Sequence, residues 1–305
     1  MDREPRPRRR DAGLINPELE TFESERGVLL ALAYRMLGDM GRAEDVVQDA
    51  WLRWQGRRVA VDTPKAYLIK VVTRLCLNEL ASARARREEN RGDRLPEPVD
   101  LTDGLLGQVE TLDQISMAFL VVLQRLTPAE RAVLLLHDVF DFDHAEIAAM
   151  LERREPGCRQ LLKRARANVA AARRVFTTSR DEHRRLLHAF VQAAAGGDAA
   201  ALIRLLADDA VLIADAGPGG GRFGRVRNLP GPLRGATKVA AFVAAVTPQG
   251  SANLEARECE LNGQPALLVL RDGQPFTAIL LSVADSKIRD VFIHADPARL
   301  RWSVR

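Results

Sequence analysis

Apolar positions recur at helical spacing through most of the first 170 residues and give way to short apolar runs only towards the C-terminus. Residues 20–87 are helical in pattern, with no strand-like alternation and few breakers apart from Gly38, Gly41, Gly56 and Pro64. Residues 88–110, EENRGDRLPEPVDLTDGLLGQVE, mix charge, glycine and proline and read as a linker. A second helical block follows at 111–176, opening with an apolar helix around Ile115 to Leu123. Thr127, Pro128 and Glu130 then supply an N-cap, a first-turn proline and the acid of a capping box, ahead of an apolar face of Ala132, Val133, Leu135, Leu136 and Val139. Asp143 and Glu146 repeat the start signal before Ile147 and Leu151. After a tight break at Glu152 to Glu155, Pro156 opens a third helix with Cys158, Leu161, Leu162, Ala165 and Val169 at three-and-four spacing. From 181 to 305 the character is α+β: a helix, His183 to Ala195, precedes the strand-like runs AVLIAD, PALLVLRD, FTAILLSVAD and IRDVFIH, with Asp272-Gly273 as a hairpin turn.

Charge gives this pattern a direction. The formal net charge is only +4, yet residues 153–174 hold eight Lys or Arg against one acid, Glu155. A short helix, a tight turn and a second helix make a helix-turn-helix, whose second helix enters the major groove N-terminus first. Arg153, Arg154, Arg159 and Gln160 are the candidates for phosphate and base-edge contact, and Lys163, Arg164 and Arg166 continue the basic face. In the first block, GRAEDVVQDAWLRW places Val47, Trp51 and Trp54 on one face, where they read as core, and Glu44, Asp45, Gln48 and Asp49 on the others. Acids near a helix start have a cheap explanation in the helix dipole. The next helix, from Pro64 to Arg87, carries Lys65, Lys70, Arg74, Arg84, Arg86 and Arg87 beside Tyr67 and Asn78, a mixture suited to single-stranded nucleic acid.

Other chemistry is sparse. The chain has 305 residues, room for two or three domains, and 47% hydrophobic residues, ample for their cores. Cys76, Cys158 and Cys259 lie far apart without metal-ligand spacing, so neither a disulfide framework nor a zinc site is indicated and a reducing, cytoplasmic compartment is expected. No apolar run approaches a membrane span, and the arginine-rich start, within a basic tail over 1–19 expected to be disordered, lacks the apolar core of a signal peptide. Gly219 to Gly221 is followed by neither Lys-Ser nor Lys-Thr and reads as a flexible turn. Asp215 and His294 in the last domain are accompanied by no Ser/His/Asp or metal constellation, and a lone histidine near a strand end is more often structural. No enzyme activity, cofactor or metal is expected.

The segments YRMLGDMGRAEDVVQDAWLRW and PKAYLIKVVTRLCLNELASARARR, combined with LTPAERAVLLLHDVF and HAEIAAMLERREPGCRQLLKRARANV, resemble bacterial sigma factors of the extracytoplasmic-function group. LPEP at Leu95, Pro96, Glu97 and Pro98, and DPARL running from Asp296 and Pro297 to Leu300, resemble the subgroup with a fused SnoaL-like domain. The resemblance implies two all-α sigma domains, regions two (20–87) and four (111–176), followed by a cone-shaped α+β domain at 181–305. It implies a sigma factor that binds core RNA polymerase and promoter DNA and is regulated by its own C-terminal domain, whose pocket is a place for an unidentified small ligand. Asp45, Gln48 and Asp49 then match the segment that docks on polymerase. Arg57, Arg58 and Asp62 match the capture loop for a flipped minus-ten base, and Lys70, Arg74 and Asn78 the surface beside it. The helix-turn-helix matches the reader of the minus-thirty-five element. Asp215 and Arg222 bracket a stretched glycine signature that the resemblance places, with LPEP and DPARL, among the interdomain regulatory contacts. The chain departs from the family's pattern at Glu152 and Arg154, where glycine and serine are usual, at Asn78, where aspartate is common, and at Arg94, where the subgroup has tryptophan. The alternative is a stand-alone helix-turn-helix regulator with a ligand-sensing C-terminal domain, which needs dimer symmetry. A cyclase or isomerase carrying a DNA-binding module is a third reading. Neither uses the acidic and basic-aromatic helices ahead of the linker.

Overall fold

The computed structural model describes residues 17–58, 60–85, 94–101, 116–170, 178–217, 229, 231–247 and 253–303. Arg222, Arg86, Arg87, Gly219 to Gly221 and the tail before residue 17 lie outside them.

Three helices form the first block: α1 (Pro17–Leu37), α2 (Met40–Gln55) and α3 (Pro64–Ala85). The helix therefore starts inside the stretch read as tail. Gly38, at φ +68, makes the corner between α1 and α2, and Asp39 caps α2 by accepting from the Arg42 amide at 2.9 Å. The second block is α4 (Met117–Arg125), α5 (Pro128–Asp138), α6 (His144–Leu151) and α7 (Glu155–Ala170). Both capping boxes form, Thr127 with Glu130 and Asp143 with Glu146, so two short helices satisfy their leading amides locally. The two blocks are not separate globules, because one apolar cluster runs continuously from Phe22 on α1 through Val72 on α3 and Leu135 on α5 to Val169 on α7. A buried arginine ties them as well: Arg131 on α5 donates to the carbonyls of Leu123, at 2.8 Å, and Met36.

The last domain is α+β. Helices α8 (Arg180–Ala195), α9 (Ala199–Leu205) and α10 (Ala236–Val246) cover one face of a sheet ordered β2-β1-β6-β5-β4-β3. The strands are β1 (Leu206–Asp215), β2 (Leu233–Arg234), β3 (Leu254–Leu261), β4 (Gln264–Arg271), β5 (Gln274–Ala284) and β6 (Lys287–His294). Strands β3 to β6 form an antiparallel meander, and β6 then pairs parallel with β1. The expected turn at Asp272-Gly273 forms with φ of +53 and +77, and Asn262-Gly263 makes the same left-handed pair at +53 and +69. The opposite face of the sheet is covered mainly from outside the domain: Ile213, Leu268, Leu280 and Phe292 pack with Leu95, Met117, Ala118 and Val121, joined by the domain's own Leu300. Residues 95–99 and 101 of the expected linker are buried.

Candidate polymerase and promoter interface

Helix α2 turns Val47 and Trp54 inward, Trp54 donating from Nε1 to the Glu18 carbonyl at 3.0 Å, while Trp51 stacks tilted on Phe22 with centroids 5.0 Å apart. Trp54 is a core residue, and Trp51 packs partly buried against the same core. The outward stripe is Asp45, Gln48, Asp49 and Leu52, at i, i+3, i+4 and i+7, and Leu52 is 58% exposed. Sequence reasoning named the polar members and missed Leu52, whose signal is an apolar side chain on the polar side of an amphipathic helix.

The loop after α2 places its two arginines differently. Arg57 lies with its guanidinium 3.4 Å from the Trp54 ring centre and an ion pair to Glu18 at 3.0 Å, whereas Arg58 and Asp62 are exposed. On α3, Lys70, Arg74 and Asn78 lie at spacing of four on one face, with Asn78 exposed. Arg74 reaches across to the second block: its Nε donates to the Met150 carbonyl at 2.9 Å and a terminal nitrogen meets Glu152 at 2.7 Å.

Helix α7 buries Cys158, Leu161, Leu162, Ala165 and Val169, the face expected, and exposes Arg159, Gln160, Lys163, Arg164 and Arg166. Arg153 and Arg154 are exposed in the turn ahead of it. The α6 helix ends on Glu152 in the left-handed region, φ +54, and the Arg153 amide donates back to the Ala148 carbonyl at 2.9 Å. Several of these cations already hold acids: Arg159 with Glu155, Arg164 with Glu130 at 3.1 Å, and Arg166 with Asp138. Burial pushes the Asp138 carboxyl up, but hydrogen bonds from Arg166 and His137 outweigh it and hold the group below its ordinary range.

LPEP, DPARL and Asp215 converge on the Gly38 corner. The Leu95 amide donates to Asp215 at 3.2 Å, and the Leu95 carbonyl accepts from Arg299 at 2.6 Å. Arg299, 12% exposed, also pairs with Asp215 at 3.1 Å and Glu97 at 3.4 Å and reaches the Gly38 carbonyl at 3.4 Å. Glu97 accepts from the Met40 amide at 2.8 Å, so a linker acid caps the start of α2. Burial, then the charge of Asp39, raise the Glu97 carboxyl above its ordinary value. The buried Tyr34 hydroxyl donates to the Glu97 carbonyl and accepts from Asn262 at 2.7 Å. Leu300 is fully buried, and Asp296 caps the 3-10 turn Pro297–Arg299. Arg94 bonds Asp296 at 3.0 Å. The reading of the motifs omitted Arg299, Tyr34 and Asn262. Arg299 had a signal as the one cation inside DPARL, while Tyr34 and Asn262 are visible only in three dimensions.

Asp215 and His294 stand in register on adjacent strands, on the sheet face turned towards the linker. Asp215 spends its carboxylate on Leu95, Arg299 and the Gly217 amide. His294 is 2% exposed, and burial, then the charge of Arg299, push it down to about 3. Neither group lines a cavity of about 660 Å³ that opens between the second helical block and the sheet, bounded by Val121, Arg125, Asn168, Asp209, Arg234 and Asp290. Among the described residues no helix is long and apolar enough to cross a membrane, and no group of His, Cys, Asp and Glu could hold a metal.

Residues 21–86 match Sigma-70 region 2 and residues 116–169 match Sigma-70, region 4. The chain is 34% identical over 300 residues to the ECF RNA polymerase sigma factor SigJ of Mycobacterium tuberculosis, covering 94% of this chain and 94% of that protein. It is 31% identical over 293 residues to the probable ECF RNA polymerase sigma factor SigI of the same organism, covering 93% and 95%. The crystal structure of Mycobacterium tuberculosis SigJ matches with a TM-score of 0.71 at 30% identity over 92% of this chain and 98% of that one.

Proposed function

The chain belongs to the extracytoplasmic-function RNA polymerase sigma factors, which direct transcription initiation, and we propose how its surfaces divide that work. The α2 stripe of Asp45, Gln48 and Asp49 docks on core polymerase. Arg57, Arg58, Asp62, Lys70, Arg74 and Asn78 engage the minus-ten element. Arg153, Arg154, Arg159, Gln160, Lys163, Arg164 and Arg166 engage the minus-thirty-five element, with arginine and glutamine suited to base edges and lysine to phosphate. Leu95 to Pro98, Asp215, Asp296, Pro297 and Leu300 belong to the contacts through which the C-terminal domain holds regions two and four together in the free chain. The chain acts in the cytoplasm and catalyses no reaction.

One observation carries the regulatory part of this reading. The buried linker is bonded at Leu95 to the C-terminal domain and at Glu97 to the start of the polymerase-docking helix. The exposed α2 stripe stays available in that closed form, so polymerase binds first and promoter DNA follows opening. A small ligand that spans the cavity between Arg125 of region four and Arg234 of the sheet would favour the closed form, since it binds only while both walls are present. The test is capture of purified core polymerase by the intact chain and by an Asp45→Arg/Asp49→Arg variant with an unchanged melting curve. Retention by the wild type and loss in the variant is the expected result, and failure of the wild type to bind would end the reading. Promoter-directed transcription by a chain lacking everything from Asp181 onward tests the regulation, with altered output expected and equal output counting against it.

A further inference from the structure

The one pairing described above that crosses from a promoter-facing helix to the other helical block is that of Arg74. Arg57, Arg159, Arg164 and Arg166 each hold an acid of their own block, and those pairs persist however the blocks move. Arg74 on α3 instead donates to the Met150 carbonyl at the end of α6 and to the Glu152 carboxylate in the turn of the helix-turn-helix. Glu152 sits at φ +54, in the left-handed region where glycine is cheapest and a side chain with a Cβ is disfavoured. Five other non-glycine residues described share that region, but the only hydrogen bond the Glu152 carboxylate makes among those described is to Arg74.

We propose that Arg74 is a phosphate-binding position on α3 and that in the free chain Glu152 fills it as an internal stand-in for the phosphate. A carboxylate and a phosphate present the same acceptor geometry to a guanidinium. The same contact ties up both surfaces at once, since it pins the turn that leads into α7 against the helix that faces the minus-ten strand. Side chains of Arg74 and Glu152 are 35% and 76% exposed, so the pair is water-screened and a nucleic-acid strand can displace it. The Met150 carbonyl adds a neutral bond that also breaks when the blocks part. Opening therefore delivers a prepared cation to DNA and frees the turn in one step. This rests on the sigma-factor reading only for the identity of the DNA, not for the contact itself.

The test is binding of a fluorescent twenty-nucleotide single-stranded DNA to the full chain across a salt series. The proteins are wild type, Glu152→Gln, Glu152→Gly, Arg74→Ala and the two double variants. Both Glu152 variants should bind about threefold tighter than wild type, the scale of releasing one exposed ion pair. Their log-affinity against log-salt slope should match wild type, because DNA displaces the pair there too, whereas Arg74→Ala should flatten it by about 0.7, the loss of one phosphate contact on a single strand. In the Arg74→Ala background the gain should vanish. A gain that persists without Arg74 would mean that removing a negative charge merely helps any DNA approach, and unchanged affinity in both Glu152 variants would mean that Arg74 is not withheld; either result overturns the proposal. Core-polymerase capture by the same proteins separates the two levels. Failure there in the wild type strikes the sigma-factor reading, while the DNA cycle still reports on Arg74. Glu152→Gly relieves the left-handed strain, so a fold defect cannot produce the same answer in both variants.

Discussion

At the scale of single residues, His294 makes the most definite prediction. It is buried and neutral in the folded chain, down at about 3, while an unfolded histidine titrates near 6.5. A base whose folded value is depressed contributes nothing adverse above 6.5, but below it the unfolded chain takes up a proton that the fold refuses. Stability is therefore lost as pH falls from 6.5 towards 3, by about 2 kcal/mol at pH 5 for this group. His183, pulled down by burial to about 4, adds to the same slope. Urea unfolding at pH 7 and pH 5 should show His294→Gln losing less stability on acidification than wild type. An identical pH dependence in the two proteins would mean that His294 is not buried neutral. The same residue shows why chemistry was hard to read from the chain: Asp215 and His294 looked like a potential acid and base, and they do share a sheet face, but Asp215 is consumed by Arg299 and the Leu95 amide.

At the scale of elements, the helices were legible because their signals are local. Thr127 and Glu130, and Asp143 and Glu146, each mark a helix within four residues, and both boxes form. Helix α6 spans only His144–Leu151, too short to hold itself, so its cap matters: Asp143→Ala should cost about 1 kcal/mol in chemical denaturation and weaken DNA binding by disordering the turn. Strands β1, β4, β5 and β6 announced themselves as apolar runs, whereas β3, LEARECEL, did not. Its burial is poor because it is an edge strand, and its charged side chains are what keep such an edge from pairing with another molecule. Helix α10 was missed for the opposite reason, being short and rich in alanine and valine without a side-chain cap. The α2 stripe carries a second prediction. Leu52 is 58% exposed, so Leu52→Ser should leave the melting temperature nearly unchanged, yet it should reduce core-polymerase capture about tenfold if the apolar side chain anchors that interface. Equal capture would confine the docking surface to Asp45, Gln48 and Asp49.

At the scale of the whole molecule, the arrangement is decided at the linker, of whose residues 88–110 the structure describes 94–101. Proline, glycine and charge mark the segment as a linker, but composition reports what a segment does alone and not what closes over it. In the fold, Leu95, Pro96, Glu97 and Pro98 are buried between the Gly38 corner and the sheet, and Arg299 is the piece that satisfies them. Removing that guanidinium leaves the Glu97 carboxylate, 4% exposed, without its cation and the Asp215 carboxylate, 5% exposed, with only the more distant Arg94 at 3.9 Å. Breaking a buried pair in this way typically costs about 3 to 5 kcal/mol, more than the exposed pair between Arg74 and Glu152 can offset. Arg299→Ala should therefore release the linker while the helical core and the C-terminal core, which Arg299 does not enter, stay folded. Hydrogen exchange reads this directly, because the Leu95 and Glu97 amides are bonded to Asp215 and to the Gly38 carbonyl across domain boundaries. Peptides covering 95–101 should exchange slowly in the wild type and fast in the variant, with α5 and β5 protected in both. Uniformly faster exchange would mean that Arg299 supports the fold as a whole, and unchanged exchange that apolar burial of Leu95 and Leu300 holds the domains together without it.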